Sequence, residues 1–241
     1  MSTIQDHRPA RDGVGAGSVI AANALTVGHG TVPYVKDLSL QVGEGEIFAL
    51  LGANGAGKTT TLMGLAGLLK PMGGSVEIAG TTVTTPFYQR ARSGLAFVTQ
   101  DRCVFMGLSL RDNLKVGGVD PDQALDYFPE LKEHLGRTVG LLSGGQQQML
   151  AVARAIARRP KILLADELSL GLAPMVVDRI LDALVRACEV DRLAVLLVEQ
   201  QVTKALSIAH RGGVLRRGKL ELVDDAASLR GRMAEVQALY L

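Results

Sequence analysis

Three glycines, a lysine and two threonines lie within nine residues of this sequence, in the order Gly52-Ala53-Asn54-Gly55-Ala56-Gly57-Lys58-Thr59-Thr60. Apolar segments precede and follow the run, at residues 47–51 and 62–69. The glycines let the backbone bend sharply, so that its N–H groups can surround an anion. Lys58 can reach the β and γ phosphates of a nucleotide, Thr59 suits Mg²⁺, and Thr60 can reach the α phosphate. The run predicts a strand, a phosphate-binding loop and a helix whose N-terminus attracts anions. The alternative is a glycine-rich turn that only begins a helix.

An acidic pair follows a second apolar run. Residues 162–165 predict a buried strand, and Asp166 and Glu167 come directly after it. Buried carboxylates are costly unless they meet a cation or exchange a proton. We therefore expect Asp166 to hold Mg²⁺ through water and Glu167 to act as the general base that polarises an attacking water. The alternative is an acidic cap on the next helix.

A third segment, Leu142-Ser143-Gly144-Gly145-Gln146, opens a helix that is predicted to continue to Arg159 and to stop at Pro160. Ser143 and Gln146 fit a capping box, which accounts for both residues. The capping box does not explain two glycines in a first helical turn, where each costs about 1 kcal/mol relative to alanine. Close approach of the backbone to an anion explains them, so this segment is predicted to contact a phosphate.

The elements that must position these groups follow from the hydrophobic pattern. Short β-branched segments at residues 19–27, 39–42, 75–78 and 82–84 predict an antiparallel layer. Apolar strands at residues 95–99, 162–165 and 193–198 alternate with helical segments, which predicts an α/β fold with a mostly parallel core sheet. Ligands bind at the carboxyl ends of such strands, where Gln100, Glu167 and Gln200 fall.

The domain organisation is simple. Residues 1–18 combine charge, proline and a glycine run, which predicts a disordered tail before one domain at residues 19–241. Within that domain, helical segments such as residues 122–127 and 130–135 predict an inserted helical subdomain at about residues 101–159.

Composition excludes several classes of protein. With a net charge of +2 and 4% aromatic residues, the chain has no basic, aromatic-rich surface for nucleic acid. Cys103 and Cys188 fit neither a disulfide framework nor a metal site, and the four histidines are dispersed. No apolar run approaches the ~20 residues of a membrane span. A reducing cytoplasm and contact with a membrane only through partners are expected.

In their order and rough spacing, the phosphate loop, Gln100, residues 142–146 and the acidic pair resemble the ATP-binding-cassette (ABC) ATPases over about residues 19–223. Other P-loop families share the first and last motifs but lack the five-residue segment. Residues 52–61, 147–151, 169–174 and 197–200 look like the ATP-binding subunits of branched-chain amino-acid importers, with the urea and short-amide importers close behind. The resemblance implies a P-loop NTPase with a RecA-like core, ATP and Mg²⁺ as ligands, and transport-coupled ATP hydrolysis.

The resemblance also implies individual roles. Gln100 would sense Mg²⁺ and the γ-phosphate, and Ser143 and Gly145 would contact ATP held by the opposite subunit of a head-to-tail dimer. That dimer would be a homodimer or a heterodimer with a sister ATPase, bound to transmembrane permease subunits at the cytoplasmic face of the inner membrane. The coupling surface would lie near residues 100–114. There Phe105, Met106 and Leu108 form either an apolar groove or part of the core.

Three positions depart from the family pattern. His29 stands where an aromatic residue often stacks on adenine, and it is either a stacking residue or an ordinary loop residue. Gln200 stands where most members have a histidine that contacts the γ-phosphate; it can donate a hydrogen bond but carries no charge. Leu168 replaces the usual proline, which is expected to loosen the backbone around Glu167.

The predicted site is therefore extensive. The predicted nucleotide contacts are His29, Gly52, Asn54, Gly55, Ala56, Gly57, Lys58, Thr59, Thr60, Ser143, Gly144, Gly145 and Gln146; the metal ligands are Thr59, Gln100 and Asp166; the catalytic residues are Glu167, Gln100, Gln200 and Lys58. Two alternatives to an importer ATPase remain at this stage. One is a soluble ABC ATPase of nucleic-acid repair or translation, and the other is a regulatory subunit that binds nucleotide and hydrolyses it weakly.

Overall fold

The computed structural model describes residues 18–240. The predicted disordered tail lies outside this range except for Ser18, which begins the first strand. One sheet is antiparallel and has the order β2-β1-β4-β5. Its strands are β1 (Ser18–His29), β2 (Val32–Gly43), β4 (Gly73–Ile78) and β5 (Thr81–Thr82). The predicted antiparallel layer is therefore confirmed.

The second sheet forms the core and has the order β10-β9-β3-β8-β7-β6. Its strands are β3 (Ile47–Leu51), β6 (Leu95–Val98), β7 (Ile162–Asp166), β8 (Ala194–Val198), β9 (Arg211–Arg216) and β10 (Lys219–Asp225). All neighbours are parallel except β9 and β10. Every residue of β3, β7 and β8 is buried, since both faces of these central parallel strands are covered, and all are apolar except Asp166 at the end of β7. The predicted α/β fold with a mostly parallel sheet is confirmed.

Nine α-helices connect or flank these strands within residues 18–240. They are α1 (Lys58–Ala66), α2 (Phe87–Arg92), α3 (Leu110–Val116), α4 (Pro121–Tyr127), α5 (Gly144–Ile156), α6 (Pro174–Asp191), α7 (Val202–Ile208), α8 (Ala226–Gly231) and α9 (Met233–Ala238). Two 3₁₀ helices, Pro129–His134 and Val139–Leu141, lie between α4 and α5. None of the helices in the described range is both long enough and apolar enough to cross a membrane.

Two hydrophobic clusters cover the two faces of the core sheet. Successive side chains of a strand point to opposite faces. Accordingly, Ile47, Ala49 and Leu51 pack against the side that carries α5 and α6, whereas Phe48 and Leu50 pack against β1, β2 and α1. The core sheet thus lies between a helical layer and the antiparallel sheet, and its carboxyl-terminal edge holds the phosphate loop.

Two helix ends are set by local backbone conformation. The helix after the phosphate loop ends at Ala66, because Gly67 adopts a left-handed conformation with φ 78° and closes it. Helix α5 ends at Ile156, three residues before the predicted end at Arg159. Arg159 has φ 50°, since the proline that follows disfavours a right-handed helical conformation at this position.

Candidate active site

The phosphate loop joins β3 to α1 and depends on glycine at two of its positions. A Cβ atom on Gly52, where φ is 149°, would lie 2.3 Å from the Leu215 carbonyl oxygen. A Cβ atom on Gly57, where φ is 108°, would lie 2.9 Å from Val35 Cγ2. Helix α1 begins at Lys58 without a side-chain cap. Its first N–H groups therefore remain available to an anion.

Lys58 is buried and bonded to its own loop. Its Nζ donates to the carbonyl oxygens of Gly52 at 2.8 Å and Ala53 at 3.1 Å, and it lies 3.9 Å from Glu167 Oε1. Burial lowers the pKa of Lys58, while the carboxylates of Glu167, Asp166 and Glu199 oppose that shift. A phosphate group could replace the two carbonyl acceptors and give this buried ammonium group a full counter-charge.

Asp166 ends β7 as a carboxylate that is 3% exposed. The side chain of Thr59 hydrogen-bonds to it, and its Oδ1 has no hydrogen-bond partner in the part of the chain that the structure describes. Burial raises the pKa of Asp166; the charge of Glu167 adds to the shift, whereas Thr59 and Lys58 oppose it. An unpartnered buried carboxylate oxygen next to a threonine hydroxyl fits a hard divalent cation.

Glu167 is held on three sides. Its backbone N–H donates to the Val198 carbonyl oxygen at 2.9 Å, its Oε2 accepts from Gln200 Nε2 at 2.7 Å, and its Oε1 faces Lys58. The residue adopts φ 49°, a conformation that non-glycine residues adopt only where the surroundings enforce it. Leu168, the next residue, is buried in the core at 1% exposure.

Sequence reasoning missed the part played by Glu199, the buried residue that directly follows β8. It accepts hydrogen bonds from the backbone N–H and the hydroxyl of Ser169. Burial raises the pKa of Glu199, and the bonds from Ser169 oppose that shift. The bonds tie the segment after Glu167 to β8. A glutamate at the end of a wholly apolar strand was the available signal, but Ser169 is 30 residues away in sequence.

The start of α5 forms the predicted capping box, which is confirmed. Ser143 Oγ accepts from the Gln146 N–H at 3.2 Å, and the Ser143 N–H donates to Gln146 Oε1 at 2.9 Å. Gln146 Nε2 then lies 2.7 Å from His134 Nε2. No hydrogen bond between described residues joins this turn to the phosphate loop of the same chain.

Packing supplies a second reason for one glycine of this turn. A Cβ atom on Gly145 would lie 3.0 Å from both methyl groups of Val176, near the start of α6. A Cβ atom on Gly144 would lie 3.4 Å from Arg102 Nη2. Gly145 therefore permits close contact with α6, a requirement that the sequence alone did not reveal.

His29 and Gln100 lie at the edges of this site. His29 is exposed at the end of β1 and packs edge-to-face against Tyr34, with ring centroids 5.6 Å apart. The Tyr34 carbonyl oxygen lies 3.4 Å from where a Cβ of Gly57 would be, so the β1–β2 hairpin reaches the phosphate loop. Tyr34, which is 52% exposed, was not singled out from the sequence.

Gln100 is exposed after β6, and it forms no side-chain hydrogen bond to the other predicted site residues in the described range.

The structure therefore brings together Lys58, Thr59, Asp166, Glu167 and Gln200 in one cluster at the carboxyl ends of β3, β7 and β8. It leaves the start of α5 separate from them. The cluster can bind phosphate groups and a cation, and it can hold a carboxylate ready to accept a proton.

Comparison with known proteins gives the same assignment. The protein family described as "ABC transporter" matches residues 35–169. The high-affinity branched-chain amino acid transport ATP-binding protein BraG of Pseudomonas aeruginosa is 38% identical over 221 residues, which are 88% of this chain and 94% of the relative. A probable branched-chain amino acid transport ATP-binding protein, LivF of Archaeoglobus fulgidus, is 34% identical over 206 residues, 81% of this chain and 87% of the relative.

Solved structures have the same fold. A nucleotide-free ATP-binding cassette from an ABC transporter superposes with a TM-score of 0.82 at 18% identity, covering 93% of this chain and 99% of that one. A dimeric cassette in a post-hydrolysis state, bound to ADP and Pi, gives a TM-score of 0.76 at 25% identity, covering 86% and 98%. The chain therefore belongs to the ABC transporter family, as one of its ATP-binding and ATP-hydrolysing cassettes.

Proposed function

We propose that this chain is the ATPase subunit of an importer for a small polar solute of the branched-chain amino-acid class. The observation that carries the proposal is the cluster of Lys58, Asp166 and Glu167 around a glycine loop at the carboxyl ends of parallel strands. The transport class is supported by the names of the two relatives, which both describe branched-chain amino acid transport.

Nucleotide binding would begin at the phosphate loop. The backbone N–H groups of residues 54–60 surround the phosphates, and Lys58 exchanges its carbonyl partners for phosphate oxygens. His29, with Tyr34 against its ring, would stack on adenine.

The magnesium ion would be held by Thr59, by Asp166 and, through the resemblance, by Gln100. In the described range, no three His, Cys, Asp or Glu side chains cluster closely enough to hold a metal ion. The ion would therefore arrive with the nucleotide, as Mg²⁺ commonly does. Once bound, it supplies Lewis-acid stabilisation of the phosphate charge.

Hydrolysis would proceed by attack of water on the γ-phosphorus. Glu167 accepts the proton of that water as the new P–O bond forms, and the bond to the β–γ bridging oxygen breaks to give ADP and phosphate. Gln200 donates a hydrogen bond to Glu167 and so fixes the direction of its carboxylate. Gln200 thus acts on the base directly, in addition to any contact with the γ-phosphate.

A second subunit would complete the site. The glycine turn at Ser143 to Gln146 caps α5 and makes no hydrogen bond to the phosphate loop of its own chain in the described range. This separation supports a head-to-tail arrangement in which the turn meets ATP held by the opposite subunit. The partner would be a second copy of this chain or a sister ATPase.

The permease would dock on the helical subdomain that we propose at about residues 101–159. Phe105, Met106 and Leu108 are 49%, 52% and 37% exposed, which favours a docking surface over a place in the core. Next to them, a cavity of about 330 Å³ lies between β6, α2 and α5 and is lined by Arg102, Arg154 and three further arginines. An apolar helical segment with acidic residues would complement both features. Through this contact the chain would act at the cytoplasmic face of the membrane.

Uptake measurements in a host strain that lacks the gene test this proposal. Plasmid-borne wild type should restore uptake of leucine, isoleucine or valine, whereas Lys58→Met, which removes the ammonium group from the phosphate loop, should not. Wild type should also copurify with a membrane protein. A chain that hydrolyses ATP but neither restores uptake nor copurifies with a membrane protein would instead be a soluble ABC ATPase.

A further inference from the structure

Tyr240, which follows α9 near the end of the chain, contacts the phosphate loop. Its phenol oxygen accepts a hydrogen bond from the backbone N–H of Gly52 at 3.0 Å, across 188 residues of sequence. The ring also packs against the hydrophobic cluster on the helical side of the core sheet. The contact therefore joins the first residue of the loop to the packed core.

Gly52 needs such a partner because the sheet ladder ends just before it. The last parallel pair between β3 and β9 is Leu51 with Val214. At Gly52 the chain turns away with φ 149°, and a Cβ atom there would lie 2.3 Å from the Leu215 carbonyl oxygen, so no side chain fits. A buried N–H group without an acceptor is costly, and the Tyr240 hydroxyl satisfies this one.

The two peptide groups of Gly52 are thus held by two different side chains. Tyr240 accepts from the N–H, while Lys58 Nζ donates to the carbonyl oxygen at 2.8 Å. If Lys58 turned to a phosphate, the carbonyl bond would be released, and the bond to Tyr240 would still hold the start of the loop.

The ring of Tyr240 is partly buried beside the loop, and burial raises the pKa of its phenol. The ring lines a cavity of about 200 Å³ together with Asn54, Gly55 and the neighbouring Arg216 and Arg217. Asn54 and Gly55 therefore face open space on this side of the loop.

We propose that Tyr240 is a positioning residue that preorganises the phosphate loop, so that nucleotide affinity depends on its hydroxyl group. The proposal deepens the ATPase function described above and rests on it. A loop that is already ordered loses less conformational entropy when it binds a phosphate. Loss of one neutral hydrogen bond corresponds to about a three- to tenfold weaker affinity.

The test is Tyr240→Phe, which removes one oxygen atom and keeps the ring. We expect KM for MgATP and Kd for ADP to rise about three- to tenfold, with kcat within twofold of wild type. The melting temperature should fall by roughly 2–12 °C, because the buried Gly52 N–H loses its acceptor. Hydrogen exchange should accelerate in the peptide that contains Gly52. Tyr88→Phe is the matched control, because Tyr88 is 58% exposed and bonds only to Gln89 among the described hydrogen bonds.

Unchanged KM, Kd and exchange in Tyr240→Phe would overturn the proposal, as would a fall in kcat with KM unchanged. These outcomes can be distinguished from a failure of the proposed ATPase function. If wild type itself does not hydrolyse ATP, the Kd for ADP and the exchange of the Gly52 peptide still decide whether the hydroxyl orders the loop.

Discussion

Replacing Asp166 by asparagine should stabilise the nucleotide-free chain and at the same time abolish its magnesium-dependent hydrolysis. Asp166 is 3% exposed, and its Oδ1 lacks a hydrogen-bond partner within residues 18–240. Asparagine has nearly the same shape, keeps the acceptor for Thr59 and carries no charge. The substitution therefore removes the cost of burying the charge and leaves the packing in place.

The expected gain comes from the buried charge alone, because the asparagine amide N–H groups are still unpartnered where Oδ1 stood. Burial and the charge of Glu167 raise the pKa of Asp166 by more than Thr59 and Lys58 lower it, so the ionised carboxylate destabilises the folded chain. For a chain of this size, about 1 kcal/mol shifts the melting temperature by roughly 2–4 °C. Asp166→Asn should therefore melt above wild type at neutral pH, by roughly 2–4 °C for each kcal/mol of charge burial that the substitution relieves.

The pH dependence of stability shows independently that Asp166→Asn should be the more stable chain at neutral pH. Because the pKa of Asp166 is raised in the folded state, the folded chain takes up its proton at a higher pH than the unfolded chain does. The stability that comes from this protonation is present at low pH and is lost as the pH rises through the folded-state pKa. The advantage of Asp166→Asn over wild type should consequently be largest at neutral pH and shrink as the pH falls.

Calorimetry of nucleotide-free protein at several pH values measures this difference. Asp37→Asn serves as the control, because Asp37 is exposed and its change should stay within about 0.5 kcal/mol of wild type. If Asp166→Asn is less stable than wild type at neutral pH, or if the difference does not depend on pH, the carboxylate is satisfied in the folded state and the argument for a cation at this position fails.

Two further predictions concern the neighbours of this residue and the start of α5. Gln200→Ala should lower kcat about 5- to 30-fold in single-turnover hydrolysis, because the 2.7 Å hydrogen bond that directs Glu167 is lost; an unchanged kcat would remove Gln200 from the mechanism. Gly145→Ala should lower the free energy of unfolding by about 1 kcal/mol more when Val176 is present than when it is replaced by alanine, because the added Cβ lies 3.0 Å from the valine methyl groups. Urea unfolding of wild type, the two single variants and the double variant measures this coupling. Strictly additive effects would show that packing does not require Gly145.

Local sequence patterns were sufficient to predict the core strands and the residues at their carboxyl ends. Continuous apolar runs such as residues 162–165 predicted buried parallel strands, and each run was followed by a polar pair. Because parallel strands end at the same edge, the proximity of Asp166, Glu167 and Gln200 followed from the pattern alone. The capping box at Ser143 was likewise local, since both of its partners lie within four residues.

Contacts between distant residues could not be predicted in this way. Nothing near Tyr240 in sequence indicates that its hydroxyl meets the N–H of Gly52. The bond from Gln200 to Glu167 depends on the pairing of β7 with β8 and on the left-handed conformation of Glu167. Likewise, the approach of Gly145 to Val176 results from the packing of α5 against α6. Each depends on tertiary geometry that hydrophobic periodicity does not encode.

Single-turnover hydrolysis of MgATP by wild type and Glu167→Gln tests the central claim most directly, namely that Glu167 is the base in an ATP-hydrolysing cassette. Glutamine keeps the size of the side chain and still contacts Gln200 and Lys58, but it cannot accept the proton. We predict that wild type turns over and that Glu167→Gln binds ATP yet hydrolyses it at least about 100-fold more slowly. Rates for the two chains that agree within a few-fold would contradict it.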